Sequence, residues 1–220
     1  MKFIFIKIYV LLSLATLAQE KKTVVTKNFH FNDGLYYSFE NLQKNEPSVK
    51  KADLFIRYFT NPQTYITQVD SLFNLKNNEK IEAQNVWAIV LEGVPFIQIP
   101  KKEAQKKLPT FAALKLRGKI CYFAYPVYRP KKIKMAAYNP VTGRPFLTGI
   151  VERDKKIIVE KILHFETGEI LDFNVDNLLK WIREDRHLVE TIERTPREVV
   201  EEKLFQLLLI YVDRHEVFLK

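Results

Sequence analysis

Cysteine is almost absent: Cys121 is the only thiol in 220 residues, which excludes a disulfide framework. Glycine is scarce too. Gly34, Gly93, Gly118, Gly143, Gly149 and Gly168 stand singly, so there is neither a Gly-rich phosphate loop nor a G-x-S-x-G elbow. The four histidines show no H-x-H or H-E-x-x-H spacing, so no metal motif is present. There is no internal repeat and no low-complexity tract. The N-terminal apolar stretch, Ile8 to Leu17, falls short of the roughly 20 residues of a membrane span and is preceded by Lys7. Together these absences leave no enzyme class or cofactor indicated.

The N-terminus reads as an export signal. Lys2 and Lys7 give a positive start, Ile8 to Leu17 is the apolar core, and Thr16-Leu17-Ala18 ends in small residues. Residues 1–18 are therefore expected to be a signal peptide, with Gln19 at the new terminus. Lipid anchoring requires Cys there, so the expected product is unlipidated, exported to the periplasm or beyond, and keeps no transmembrane segment. The 202 remaining residues, at a hydrophobic content of 47% for the whole chain, suit a single domain. A chain of that length buries about 70% of its unfolded surface and needs no disulfide or metal.

Charge is the most uneven property. The formal net charge is +9, falling to +7 without Lys2 and Lys7. Lys101, Lys102, Lys106 and Lys107 form one cluster, and Arg129, Lys131, Lys132 and Lys134 another, while Glu152 to Glu202 is nearly balanced. Such an excess either keeps a surface soluble or meets an anionic partner, such as phosphorylated lipid or acidic glycan. Nucleic acid fits an exported chain without a binding motif less well.

Thr23 to Phe31 alternates as a strand, Asn32-Asp33-Gly34 turns, and Leu35 to Tyr37 resumes extended. Ser38 can cap a short helix that ends before Pro47. Asp53 to Phe59 reads as a strand stopped by Asn61-Pro62, whereas Tyr65 to Glu82 supports no single assignment. Val86 to Leu91 and Val94 to Ile99 flank Glu92-Gly93 as a hairpin, with Pro95 suggesting an edge or bulge. Phe111 to Leu116 and Lys119 to Tyr128 form a second apolar pair broken at Arg117-Gly118. A turn-rich passage, Asn139 to Pro145, precedes a third hairpin, Lys156 to Phe165 and Glu169 to Phe173. Residues 19–173 are thus mainly β and 174–220 helical. Asn174 caps one helix, and Thr195-Pro196-Arg197-Glu198 reads as a capping box for the last. That helix carries Val200, Leu204, Leu207, Leu208 and Tyr211 on one face, widened by Phe205, Leu209 and Val212. An arc this broad packs against more than one element, across the sheet and beside the Asn174 helix.

The candidate chemistry is thin. His30 and His164 fall on strand faces expected to be solvated, and His187 and His215 at helix ends. Cys121 lies in an apolar strand and behaves as a small hydrophobe. Asp172 to Asn177 imitates a calcium loop, but Asn177 and Arg183 stand where Gly and Glu are needed, and capping accounts for each residue. The informative surface is Tyr122, Phe123, Tyr125 and Tyr128 between the two basic clusters. Alternation puts Tyr122 and Tyr128 on one face, where they either pack in a sheet or stack on sugar or lipid. The candidate binding set is Tyr122, Tyr128, Lys101, Lys102, Arg129, Lys131 and Lys132.

Gly34-Leu-Tyr-Tyr-Ser-Phe-Glu-Asn-Leu-Gln-Lys-Asn-Glu-Pro-Ser48 resembles the opening of a group of uncharacterised exported proteins from Bacteroidetes. That group tends to end as this chain does: a hairpin tipped by Glu166-Thr-Gly168, a helix leading to Glu184-Asp185, and a last helix running into Tyr211 and Arg214. The resemblance implies an envelope or secreted protein and brings no activity or site residues. The expected fold is α+β, a mainly antiparallel sheet with two C-terminal helices packed on it, strong curvature being one form the sheet can take. The expected function is non-enzymatic binding in the envelope. The alternatives are a small hydrolase whose carboxylates meet only in three dimensions, and an interaction subunit completed through its last helix.

Overall fold

The computed structural model describes residues 22–104 and 106–220; the expected signal peptide lies outside them. Thr23 to Phe31, expected as a strand, forms a single bridge, Val24 with Phe218, and is held by the C-terminal tail through Val25 N to Val217 O at 2.8 Å. It alternates without a ladder partner. β1 (Gly34–Tyr36) follows the expected turn. Ser38 caps α1 (Phe39–Gln43) by accepting from the Asn41 amide. After β2 (Val49–Lys50) come β3 (Leu54–Asn61), ended as expected before Pro62, and β4 (Ile66–Asn74), which resolves most of the ambiguous stretch. β5 (Glu79–Lys80) is short.

β6 (Ala88–Leu91) and β7 (Val94–Gln98) form the expected hairpin, with Glu92 and Gly93 at φ of 53° and 75° as a primed turn demands. α2 (Lys101–Ala104) leads to β8 (Thr110–Ala113). These strands form one antiparallel, strongly curled sheet in the order β2-β1-β6-β7-β8-β4-β3, with β5 on β4. β7 is therefore internal, and Pro95 marks neither edge nor bulge. Its carbonyl accepts from Leu114 N just past the last paired residue, so its missing donor faces the end of the ladder.

β9 (Ile120–Tyr138) and β10 (Pro145–His164) pair across the turn-rich passage in a long hairpin not expected from sequence, while the base of β10 with β11 (Ile170–Asp172) forms the expected third hairpin. β8 and β9 do not pair as the expected second hairpin; they belong to different sheets and share only the bridge Leu116 with Tyr122. The base of β9 is buried on both faces. Cys121, Phe123, Tyr125 and Val127 pack toward the curled sheet, while Ile120, Tyr122 and Ala124 pack under the helices. This double burial explains the continuous apolar run there.

α3 (Val175–Trp181), α4 (Arg186–Arg194) and α5 (Arg197–Arg214) form the covering layer. Asn174 caps α3 as expected, accepting from Asn177 N at 2.9 Å. α4 lies between the two expected helices. Val200, Leu204, Leu208 and Tyr211 of α5 are buried against β9 and α3, as the wheel anticipates. The expected capping box does not form: Thr195 ends α4 and donates its hydroxyl to Thr191 O, leaving α5 without a side-chain cap. The two segments that carry the resemblance meet in space. Buried Gln43 donates to the carbonyls of Phe165 and Glu166 at 2.6 and 2.8 Å, and Gly168, at φ +78°, lies flat against Phe39.

Candidate binding surface

Composition along β9 changes where packing ends. Up to Val127 the strand is apolar and covered; from Tyr128 it reads Tyr-Arg-Pro-Lys-Lys-Ile-Lys-Met. From Tyr128 to Lys156 every residue whose burial is described is exposed, apart from the intermediate Ala136 and Asn139. The hairpin therefore leaves the body as a two-stranded ribbon. Asn139 closes its tip by accepting from the Val141 amide at 2.8 Å.

The register places the charges. Arg129 faces Lys155 and Lys131 faces Arg153, so two like-charged pairs stand side by side on one face. Ile133 with Val151, and Met135 with Gly149, continue that face toward the tip. The opposite face carries Tyr128 with Lys156, Pro130 with Asp154, Lys132 with Glu152, and Lys134 with Ile150. Both acids of the ribbon thus lie on the second face, and the first has cations alone.

Hydrogen-bond phase explains the prolines. Glu160 turns its carbonyl outward to Phe173 N, so its partner Ala124, and Pro126 and Pro130 in the same phase, point their backbone nitrogens away from β10. No ladder donor is required there. By the same alternation Arg129/Lys155 and Lys131/Arg153 are directly bonded pairs with Cα atoms about 5.5 Å apart. Like charges directly opposite are destabilising, by roughly 0.2–1 kcal/mol each. The ribbon from Arg129 to Lys156 holds eight cations and two acids, a net +6 against +9 for the whole chain. Among the described residues none of the eight sits in an ion pair.

At the ribbon's root is a cleft of about 340 Å³ bounded by Phe59, Gln68, Lys106, Tyr125, Tyr128 and Lys156, and no carboxylate lines it. Lys106 Nζ lies 5.7 Å above the Tyr128 ring, joining the first basic cluster to the second. Lys101 and Lys102 are exposed on α2 beside this cleft but do not line it. Tyr125 donates its hydroxyl to Glu103, and burial followed by that carboxylate pushes its phenol upward.

The expected site residues therefore divide. Arg129, Lys131, Lys132 and Tyr128 lie together on the ribbon, Tyr128 being 40% exposed. Tyr122 does not join them. Helix α5 covers the face expected to be open, so Tyr122 is only 7% exposed, with its ring against Phe173 and Phe205 and its hydroxyl donated to Glu160. Arg153, Lys155 and Lys156 complete the surface and lie outside the set expected from sequence. The signal is there to be read: folding the chain about Asn139 to Arg144 brings Lys155 opposite Arg129.

Neither the histidines nor Cys121 lines the cleft at the ribbon's root. His164 is half-buried against Trp181 rather than solvated, and burial lowers its pKa. His187 is exposed in the first turn of α4, not at a helix C-terminus. Burial pushes the Cys121 thiol up to about 12, the reverse of what a nucleophile needs. His215 does end α5, between Glu184 and Asp185 at 3.4 and 3.2 Å. With Lys119, Tyr211 and Arg214 these form a cluster of titratable groups, but every member is partnered and none lines a described cleft. Asp185 caps α4 through the Leu188 amide at 2.9 Å; burial opposes its ionisation, yet that amide, His215 and Arg214 outweigh it and hold the carboxyl below its ordinary value. All carboxyl groups displaced clearly from the ordinary range, Asp33, Glu40, Glu169, Asp176, Glu184 and Asp185, move downward, whereas a catalytic general acid needs the opposite.

Among the described residues no cluster of three or more acidic, histidine or cysteine side chains is arranged to hold a metal, and no helix is long and apolar enough to cross a membrane. Compared with known proteins, the chain matches no family model, no curated protein and no solved structure.

Proposed function

We propose that this chain is an exported, non-enzymatic binding protein of the envelope whose projecting ribbon engages an anionic partner, lipid or glycan. The observation that carries this reading is the pair of cation–cation rungs, Arg129/Lys155 and Lys131/Arg153, on a face with no acid and no covering layer. An isolated hairpin is marginal in water, and two repulsive rungs weaken it further. An anionic surface reverses the sign of both rungs. Each cation near such a surface contributes about 1 kcal/mol, so four offset the roughly 0.4–2 kcal/mol of repulsion. The root cleft adds Lys106, Lys156 and the Tyr128 ring to the same anionic footprint.

The test is binding of the full chain to two probes, a soluble sulfated polysaccharide and phosphatidylglycerol vesicles, as a function of NaCl. Affinity is expected to fall as salt rises. It is expected to collapse in Arg129→Glu/Lys131→Glu/Arg153→Glu. Binding to both probes that ignores salt and survives this triple reversal overturns the proposal.

A further inference from the structure

We infer that the anionic partner is a lipid bilayer, and that the acid-free face of the ribbon lies along it at headgroup depth. This rests on the anion-binding reading above and adds the identity of the surface. Three observations bear on this: one favours lipid over a soluble polyanion, and two set how the ribbon meets it.

The first is the sequence of side chains on that face. Arg129, Lys155, Lys131 and Arg153 are followed toward the tip by Ile133, Val151 and Met135, each about 40% exposed. Beyond them Val141 is 91% exposed at the apex. A polysaccharide accepts the cations and gives these apolar groups nothing. A bilayer interface accepts both, apolar atoms sinking about 5–10 Å among the headgroups while cations meet phosphate.

The second is length. Arg129 is nine residues from Tyr138, or about 30 Å at strand rise. That exceeds a Debye length of about 8 Å, so a ribbon standing on its tip holds both cation–cation rungs beyond the reach of lipid charge. Lying along the surface brings both rungs and the apolar patch into contact together.

The third limits the depth. The outer edges of a two-stranded ribbon carry free backbone groups, which hydrocarbon does not tolerate. The ribbon therefore seats at the interface and does not span. A second copy of this chain is a poorer occupant, since two ribbons of net +6 repel and Pro130 presents no donor at the outer edge of β9.

The experiment compares the full chain on vesicles of phosphatidylcholine with about 30% phosphatidylglycerol, on pure phosphatidylcholine vesicles, and on soluble sulfated polysaccharide. Lys131→Gln/Arg153→Gln neutralises the acid-free face; Lys132→Gln/Lys134→Gln makes the same change on the other. The first pair is expected to weaken binding to anionic vesicles about 30-fold, and the second severalfold at most. Ile133→Ser/Val151→Ser is expected to lose about tenfold on vesicles and nothing on polysaccharide. The indole introduced by Val141→Trp, read as the difference spectrum from the native chain, should be shielded from a water-soluble quencher by anionic vesicles alone. All these substitutions fall on exposed positions, and unchanged melting verifies that each variant is folded. Equal losses from the two neutralised faces overturn the face assignment. Salt-sensitive binding to polysaccharide, with vesicle binding indifferent to Ile133→Ser/Val151→Ser and the introduced indole still quenched, overturns the bilayer and leaves anion binding standing. Failure on every probe overturns both.

Discussion

Excision of the ribbon should leave the body untouched. Arg129 and Lys155 are directly opposite, so residues 130–154 can be replaced by Asn-Gly, which closes a two-residue primed turn on that pair. Every described side chain removed is exposed except the intermediate Ala136 and Asn139, so the apolar layers that hold the fold lose nothing. The cut also deletes the Lys131/Arg153 rung, a gain of a few tenths of a kcal/mol. The net change should lie within about 0.5 kcal/mol, and at about 2–4 °C per kcal/mol for a chain of this size the melting temperature moves by no more than about 2 °C. Leu208→Ala supplies the contrast. Leu208 is fully buried between α5 and β9, and its truncation should cost about 2–5 kcal/mol, a fall of roughly 10 °C. Scanning calorimetry of the three proteins decides the matter. A loss of more than about 4 °C in the excised chain would mean that the ribbon is packed, and the separation of body from binding element would be wrong.

Gly168→Ala should destabilise by about 2–4 kcal/mol in a urea titration, since its φ of +78° disfavours a Cβ and that atom would overlap Phe39 Cδ1; a cost under about 0.5 kcal/mol would contradict this contact. Asp185→Asn should lose about 1–2 kcal/mol at pH 7, because the amide still caps α4 but no longer pairs with Arg214 and His215, and Arg214 is half-exposed. Since the folded Asp185 is more acidic than the unfolded group, its contribution is complete above about pH 4 and disappears as pH falls below that, so the two proteins should converge in acid. A gap that widens on acidification contradicts the assignment.

Much of the body is legible because burial writes itself into sequence. Ser38, Asn174 and Glu92-Gly93 act as read, since their effects are local. The tail's apolar arc predicts its packing, because a face wider than one seam needs two neighbours. The failures share one cause, the absence of local information about a distant partner. Pro95 sits inside the sheet because β8 ends beside it, which no local pattern reveals. Thr195 serves the helix behind it rather than the one ahead, and α4 contributes only Leu188 and Ile192 to its buried face, too few to show a period. The run from Ile120 to Tyr128 hides which face lies open because neither does at its base, so alternation alone puts Tyr122 at the surface. The ribbon escapes for the opposite reason. Neither of its faces is buried, so no alternation marks it as strand, and its lysines read as a loop cluster instead of half of a paired surface. Only the turn at Asn139 to Arg144 records the fold-back that brings Arg153, Lys155 and Lys156 to the site.

The most direct measurement is the affinity of the intact and ribbon-excised chains for phosphatidylglycerol vesicles at low and physiological salt. The intact chain should bind more weakly as salt rises, and the excised chain, melting normally but keeping only the Arg129/Lys155 rung and the root cleft, should bind at least about 100-fold more weakly at both concentrations. Equal affinity of the two chains would place the anionic contact elsewhere on the molecule and contradict this expectation.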